Sequence, residues 1–458
     1  MMSGASTISH NAFRCVKMWQ HSVVAPRSRI HAASMSLENA ALAKKHVVIL
    51  GGGFAGLACA KELGAEHLRV TLVDRWNHHL FQPLLYQVAT AGLAMTEIAQ
   101  PLRSILSQHK NVTTLMAEVA SIDLAARQVH LRDRVLDYDF LVLALGAKTS
   151  YFGHSQWEEH TLGLKSLDDA MAVRKKVLLA FEKAEASGDP AEVERLLTMV
   201  VVGGGPTGVE MAGSLAELAR VVLKEDFRRI DPARARVHLI EAGARLLPTF
   251  PEALSDYTRR RLERTGVTVH LNCPVREVGA GFVLAGDHRI DSDLVVWGAG
   301  VEASAVTRTL AGVPLDRGGR VEVLPDLSLP GHPEVFAAGD IASLTDKNGV
   351  RVPGVCPAAM QMGKFIARVI QESPNAGDER PAFGYLDKGS MATIGRSAAV
   401  ASFAGVQARG FLAWLMWLFV HLIFLMGMRN RAAVFLHWVW SYCTWQRGAR
   451  VIQSATPE

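Results

Sequence analysis

The chain has 458 residues, 49% of them hydrophobic and 20% charged, with a formal net charge of +5. That balance excludes a disordered or fibrous protein and gives enough apolar material for two or three cored domains. The small positive excess suits phosphate-bearing cofactors or an anionic lipid surface as well as nucleic acid, and on its own it selects none of them.

The first segment, 1–44, carries Arg14, Lys17, Arg27 and Arg29 among Ser and His, with Glu38 as its only acid. This is the composition of an organellar transit peptide; a disordered tail, with Met35 as an internal start, is the alternative. The cysteines Cys15, Cys59, Cys273, Cys356 and Cys443 lie far apart, with no CxxC pair and no Cys/His ligand spacing. A disulfide scaffold, a redox dithiol and a metal site therefore lose support.

Folding is expected to begin at His46. The apolar run Val47 to Leu50 reads as a buried parallel strand, and Gly51-Gly52-Gly53-Phe54-Ala55-Gly56 follows it at once. A helix from about Leu57 to Leu63 leads to a second strand, Arg69 to Val73, that stops at Asp74. Strand, glycine turn, helix, strand and acid make a dinucleotide-binding unit. The pattern recurs with Met199 to Val202, Gly203-Gly204-Gly205-Pro206-Thr207-Gly208, a helix to about Lys224, and the strand Arg236 to Ile240 before Glu241. The second acid lies farther from its glycines than the usual spacing of about 20 residues; an insertion around Asp226 to Ala235 accounts for the excess.

Apolar strands running into Gly146 and Gly300 close the two units, their glycines letting backbone approach a cofactor. A further strand, His332 to Ala337, leads into Gly339-Asp340, so the first domain is expected to be interrupted by the second. In the last fifty residues, Phe411 to Met426 is apolar apart from His421, and Trp414, Trp417, Trp438, Trp440 and Trp445 cluster there. The run is short of the roughly 20 residues needed to span a bilayer as a helix. Its Trp and flanking Arg instead read as a helix lying in the membrane interface. A hairpin covering the core or a dimer interface is the alternative.

Each glycine turn offers a tight bend, an absent side chain where pyrophosphate approaches, and a helix N-terminus that favours the anion. Asp74 and Glu241 are placed to accept ribose hydroxyls, and Glu241 repels a 2′-phosphate, favouring NADH over NADPH. Two dinucleotide sites in one chain suggest a bound flavin and an exchanging nicotinamide. At this point a family resemblance enters. The segment Asp74 to Thr90, DRWNHHLFQPLLYQVAT, resembles the stretch after the FAD-ribose acid in type II NADH dehydrogenases. The likeness extends over residues 45 to 450.

The resemblance implies an α/β fold with two Rossmann-like domains, the NADH domain inserted in the FAD domain, plus a C-terminal amphipathic helical membrane-anchoring region. Its boundaries are a targeting or disordered segment 1–44, an FAD domain at 45–160 and 301–390, an NADH domain at 161–300, and a membrane-associating region at 391–458. It assigns Gly51, Gly53, Gly56 and Asp74 to FAD, with Phe54, Ala55, Arg75, Gly146, Gly339 and Asp340 beside them. Gly203, Gly205, Gly208, Glu241 and Gly300 fall to NADH. The family's quinone-facing Ala-Gln-x-Ala-x-Gln helix is matched here by Cys356-Pro357-Ala358-Ala359-Met360-Gln361 ahead of Gly363, with Pro357 in place of the first Gln. Ala359, Met360 and Gln361 are thus the implied quinone contacts, and Glu210, opening its helix, the implied partner for NADH or proton supply. His78 and His79 read as polar loop residues.

The implied activity is hydride transfer from NADH to FAD and then two electrons to ubiquinone or menaquinone, without proton pumping. The enzyme would sit on the cytoplasmic face of a bacterial inner membrane, or on a mitochondrial inner membrane, contacting lipid but no nucleic acid, as a monomer or homodimer. Sulfide:quinone reductase chemistry would need paired reactive cysteines, and a non-catalytic NADH-responsive flavoprotein would show no turnover.

Overall fold

Val47 to Leu50 are wholly apolar and fully buried, as a strand with parallel neighbours on both sides and helices on both faces requires. The computed structural model describes residues 44–64, 67–373, 375, 377–403, 405–445 and 447–452. Apart from Lys44, the segment read as targeting or disordered lies outside them. Strand β1 (His46–Leu50) turns into helix α1 (Phe54–Glu62) and returns as β2 (Arg69–Asp74), parallel to β1 with Val47 opposite Val70. β3 (Val112–Met116) adds to the far side of β2, and β4 (Phe140–Leu143) to the other side of β1.

The chain then leaves this sheet to build a second one. Helix α2 (Leu167–Ala186) starts at Ser166, whose hydroxyl accepts the Asp169 N–H while the Asp169 carboxylate takes the Ser166 N–H, a reciprocal N-cap. Beyond it, β5 (Thr198–Val202), helix α3 (Pro206–Glu217), β6 (Arg236–Ile240), β7 (Val267–His270) and β8 (Leu294–Trp297) form a parallel sheet ordered β7-β6-β5-β8. The excess between α3 and Glu241 holds a π-turn at Leu218–Val222 and a 3₁₀ turn at Pro232–Arg234, where the insertion was expected.

On its return the chain adds β9 (Ser328–Leu329) and β10 (His332–Ala337), and β10 pairs in parallel with β4. The first sheet therefore runs β9-β10-β4-β1-β2-β3, completed by residues from beyond the inserted unit. Helix α4 (Cys356–Glu372) packs on α1 so closely that a Cβ at Gly363 would lie 2.9 Å from the Ala55 carbonyl carbon.

The tail is more integrated than a surface anchor. An antiparallel sheet, β11 (Ser390–Thr393), β12 (Ala399–Phe403) and β13 (Val406–Gly410), leads into helices α5 (Phe411–Phe424) and α6 (Met428–Thr444). Ala413, Trp417 and Val434 are at most 1% exposed, packed in one cluster with β11, β12 and the second unit. Leu412, Phe419, Leu436 and Met428 are at least 64% exposed on the other face. With 14 residues α5 is about 21 Å long, short of the roughly 30 Å of a bilayer core. Among the described residues no helix is long and apolar enough to cross a membrane. Past α6 the guanidinium of Arg447, itself buried, donates to the Thr90 carbonyl (2.9 Å) and to Glu217 (2.7 Å).

Candidate functional site

Both glycine turns divide their work in the same way. Gly51 and Gly203 have φ of +106° and +108°, and a Cβ there would meet the neighbouring strand end, 2.7 Å from the Ala144 carbonyl carbon or 2.8 Å from the Ala299 nitrogen. Gly56 and Gly208 let each helix sit against its turn: a Cβ would overlap the carbonyl oxygen of Gly51 or Gly203. Gly53 and Gly205, the N-caps of α1 and α3, have nothing within 4 Å of that position. An open cradle at the end of a helix whose first N–H groups lack partners fits a pyrophosphate.

The strand-end acids hold these turns. Asp74 accepts the N–H of Gly52 (2.6 Å) and of Trp76 (2.7 Å), and Glu241 that of Gly204 (2.6 Å) and of Gly243 (2.6 Å). Each carboxylate accepts about four hydrogen bonds, so room remains for a ribose hydroxyl. Burial raises the Asp74 pKa, opposed by these two backbone bonds and by Arg75.

One cleft of about 1680 Å³ takes in most of the expected flavin set: Gly51, Gly53, Phe54, Ala55, Asp74, Arg75, Gly146, Gly339 and Asp340. It continues to Pro206, Thr207 and Glu210 at the start of α3, and to Cys356, Pro357, Ala359 and His421. Single small-ligand pockets hold about 300–1,000 Å³, so this one has room for a dinucleotide and a second reactant. Gly300 instead faces the ring of Phe152, and Gly203, Gly205, Gly208 and Glu241 lie beyond the cleft's lining.

Two of the expected quinone contacts, Met360 and Gln361, are not among the residues lining this cleft. Gln361 turns away from the cleft: its amide donates to the Leu386 carbonyl (2.9 Å) and accepts the Leu386 N–H (3.0 Å). One N–H and the oxygen of this amide hold a backbone strap. α4 shows the cleft Cys356, Pro357 and Ala359, all within its first four residues, whereas Gln361 lies further along the helix. The helix's glycine, Gly363, serves contact with α1.

Glu210 also differs from expectation. It is the fifth residue of α3, past the first turn, and is 9% exposed. Burial outweighs any helix-dipole stabilisation, and with the Thr393 N–H as a partner (3.2 Å) its carboxyl is still pushed up to about 8. It is therefore mostly protonated at neutral pH.

Several residues near it were not singled out in the sequence. His421 donates from Nδ1 to the Trp417 carbonyl (2.7 Å), which leaves Nε2 as acceptor, and burial lowers its pKa to about 4. The only signal was a lone imidazole in an apolar run. His79, read as a loop residue, is 1% exposed and hydrogen-bonds the Gly52 carbonyl (2.9 Å). Its ring meets Phe54 edge-on at 4.9 Å, and Phe81 links Phe54 to His421 in a run of aromatic contacts. Cys356 is unpaired, like the other described cysteines, and burial with Asp340 nearby raises its thiol to about 12.

Residues 45–363 match the model of the pyridine nucleotide-disulphide oxidoreductases, and 388–444 that of the NDH2 C-terminal domain. Two Mycobacterium tuberculosis proteins, the type II NADH:quinone oxidoreductases Ndh and NdhA, are 44% and 43% identical to the chain. The first alignment covers 89% of this chain and 90% of the relative, the second 91% of each. The solved structure of NDH2 from Plasmodium falciparum in complex with NADH superposes with a TM-score of 0.81 at 21% identity, over 90% of this chain and all of that one. At that identity the likeness is one of fold.

Proposed function

The chain belongs to the type II NADH:quinone oxidoreductases, and from that footing we propose how its own residues divide the work. The reaction is NADH + H⁺ + quinone → NAD⁺ + quinol, with no proton pumping. When bound, FAD supplies the two-electron relay between the two substrates.

The supporting observation is a single cleft that joins the open Gly53 cradle to Pro206, Thr207 and Glu210 at the start of α3. Gly51, Gly53, Phe54, Ala55, Asp74, Arg75, Gly339 and Asp340 hold the flavin dinucleotide. Gly203, Gly205, Gly208 and Glu241 hold the NADH dinucleotide, with Glu241 disfavouring a 2′-phosphate. Hydride brings two electrons and one proton, so quinol formation needs one more proton. Glu210 supplies it: buried, protonated near neutral pH and facing the cleft, it suits a general acid. The quinone ring lies against Ala359, Pro357 and His421 in place of Gln361. Cys356, protonated and without a cysteine partner among the described residues, gives no support to sulfide chemistry.

The exposed face of α5 and α6 rests in the membrane interface without spanning it, on the cytoplasmic side of a bacterial inner membrane or on a mitochondrial inner membrane. Lipid, not a second copy of the chain, covers that face. Anaerobic bleaching of the flavin by NADH, followed by reoxidation with ubiquinone and menaquinone analogues, tests the assignment. E210Q is expected to bleach normally and to form quinol about 10²- to 10⁴-fold more slowly. An unchanged reoxidation rate would remove Glu210 from the proton step.

A further inference from the structure

The C-terminal hairpin does more than cover the core, because its inner face reaches the surroundings of Glu210. Trp438 on α6 donates its indole N–H to Gln87 Oε1 (2.9 Å). An indole N–H can only donate, so this bond fixes which end of the Gln87 amide faces it. The Gln87 NH₂, which likewise only donates, then points to the Tyr86 phenol oxygen (3.0 Å). With that oxygen already accepting from Gln87, the Tyr86 hydroxyl is free to donate to Thr393 Oγ1, with which it shares a hydrogen bond (3.0 Å). Thr393 in turn gives its backbone N–H to Glu210 (3.2 Å). The first two donors are fixed by their chemistry, the first of them belonging to the tail, and the last link is positional, because the residue whose hydroxyl meets Tyr86 is the one whose backbone N–H meets Glu210.

The other groups around this chain do not replace that ordering. From α5, Trp417 packs against Tyr86 (6.4 Å between centroids) and His421 (4.0 Å), and its buried indole N–H lies close enough to the Glu210 carboxyl to favour the charged form against burial, a direct contact of the hairpin that does not orient Thr393. From α3, Glu217 lies two turns beyond Glu210, its carboxylate occupied by Arg447 and by the Arg396 N–H. Tyr86 lines both the large cleft and a smaller cavity of about 100 Å³ walled by Trp417, Trp438 and Arg396. Burial pushes its phenol pKa upward, so the hydroxyl remains a neutral donor.

We infer that Trp438 is a positioning residue for quinone reduction: the directed chain Trp438, Gln87, Tyr86, Thr393 lets the membrane-facing hairpin hold Glu210 in its proton-delivering arrangement. This rests on the role of Glu210 given above. Loss of Trp438 frees the Gln87 amide to flip, lets the Tyr86 hydrogen leave Thr393, and loosens the Thr393 backbone beside the carboxyl.

The test uses the full-length, FAD-loaded enzyme in liposomes and follows flavin reduction by NADH separately from reoxidation by a short-chain quinone across pH 6 to 9. W438F keeps the ring and removes the donor; Q87E keeps the acceptor for Trp438 and removes the donor to Tyr86. Each is expected to slow reoxidation about three- to tenfold, the loss of one oriented hydrogen bond, and to shift its pH midpoint in the same direction. The double variant should be no worse than the slower single one, since both break the same chain. A reoxidation pH profile identical to wild type in W438F, or additive losses in the double variant, overturns the inference. E210Q run in parallel separates the two claims: an unaffected E210Q refutes the proton donor itself, whereas an impaired E210Q beside an unshifted W438F refutes only the chain.

Discussion

Gly53 borders the flavin cleft and Gly363 seats α4 on α1, and alanine at the two positions should fail for opposite reasons. At Gly363 a Cβ would stand 2.9 Å from the Ala55 carbonyl carbon and 3.2 Å from its Cα. Ordinary carbon contacts begin near ~3.5 Å, and the obstacle is backbone, which cannot swing aside. Overpacking of this kind costs about 1–3 kcal/mol, against the roughly 1 kcal/mol that alanine gains over glycine inside a helix. The net expectation for G363A is a loss of up to about 2 kcal/mol, a melting temperature lower by up to roughly 8 °C. At Gly53 φ is −70° and nothing lies within 4 Å. An alanine there fits the apoprotein, at a cost of about a few tenths of a kcal/mol for a poorer N-cap. Its methyl would instead occupy the space where pyrophosphate meets the helix end. G53A should therefore melt like the wild-type apoprotein while losing at least about tenfold in FAD affinity, the equivalent of ~1.4 kcal/mol. Melting of apo and FAD-loaded protein, with released-flavin fluorescence for occupancy, reads both. If G53A copurifies with FAD at wild-type occupancy, or melts as low as G363A without flavin, the reasoning is refuted.

Glu241→Ser should raise KM for NADH and narrow the kcat/KM preference for NADH over NADPH about 10- to 100-fold, because a charged acceptor is lost at the ribose and on the Gly204 and Gly243 N–H groups; an unchanged ratio would contradict the assigned role. On the outer face of the hairpin, a triple variant L412Q/F419Q/L436Q should weaken liposome binding by roughly a thousandfold or more while keeping flavin. Trp417→Ala, at a site 1% exposed, should cost about 3–5 kcal/mol of stability. Flotation and melting assays separate those two variants, and equal behaviour would show that the faces are misassigned. Burial raises the Glu210 pKa from 4.5 to about 8 in the folded protein. Its contribution to stability is then complete below the unfolded value and is lost as pH rises through about 8. E210Q should match wild type near pH 5 and melt above it by pH 9; a constant gap across that range would show that Glu210 is not buried uncharged.

The two dinucleotide units were legible because each step has a local cause: buried apolar strands, glycines forced by backbone contact, and acids at strand ends. β3 was overlooked, since Val112-Thr113-Thr114-Leu115-Met116 is a mixed strand with only Thr114 buried. The sheet β11 to β13 was hidden for another reason: its buried positions are mostly small, Ala392, Ala399 and Ala401, and carry little apolar signal. On the quinone side a motif gives residue types and not the partners that each side chain finds, so the bonding of Gln361 to Leu386 was not legible. Gly363 and Ala359 keep their places by packing, while the Gln361 amide is drawn off by the Leu386 backbone. His421, Tyr86 and Thr393 come together from three distant stretches of the chain. Such a meeting has no sequence period, whereas the lone His421 in an apolar run was at least visible as an exception.

The crossing from β4 to β10 bears on the order in which the protein can assemble. The second sheet draws all four of its strands from residues 198–297, so it can close as soon as that stretch has left the ribosome. The first sheet cannot. Until His332–Ala337 is made, the β4 edge, with Phe140 to Leu143 all buried in the finished protein, stays open to any strand that offers itself. The nascent chain thus carries an adhesive edge for the time taken to synthesise nearly 200 further residues. A chaperone that shields extended apolar segments would find its longest-lived target there.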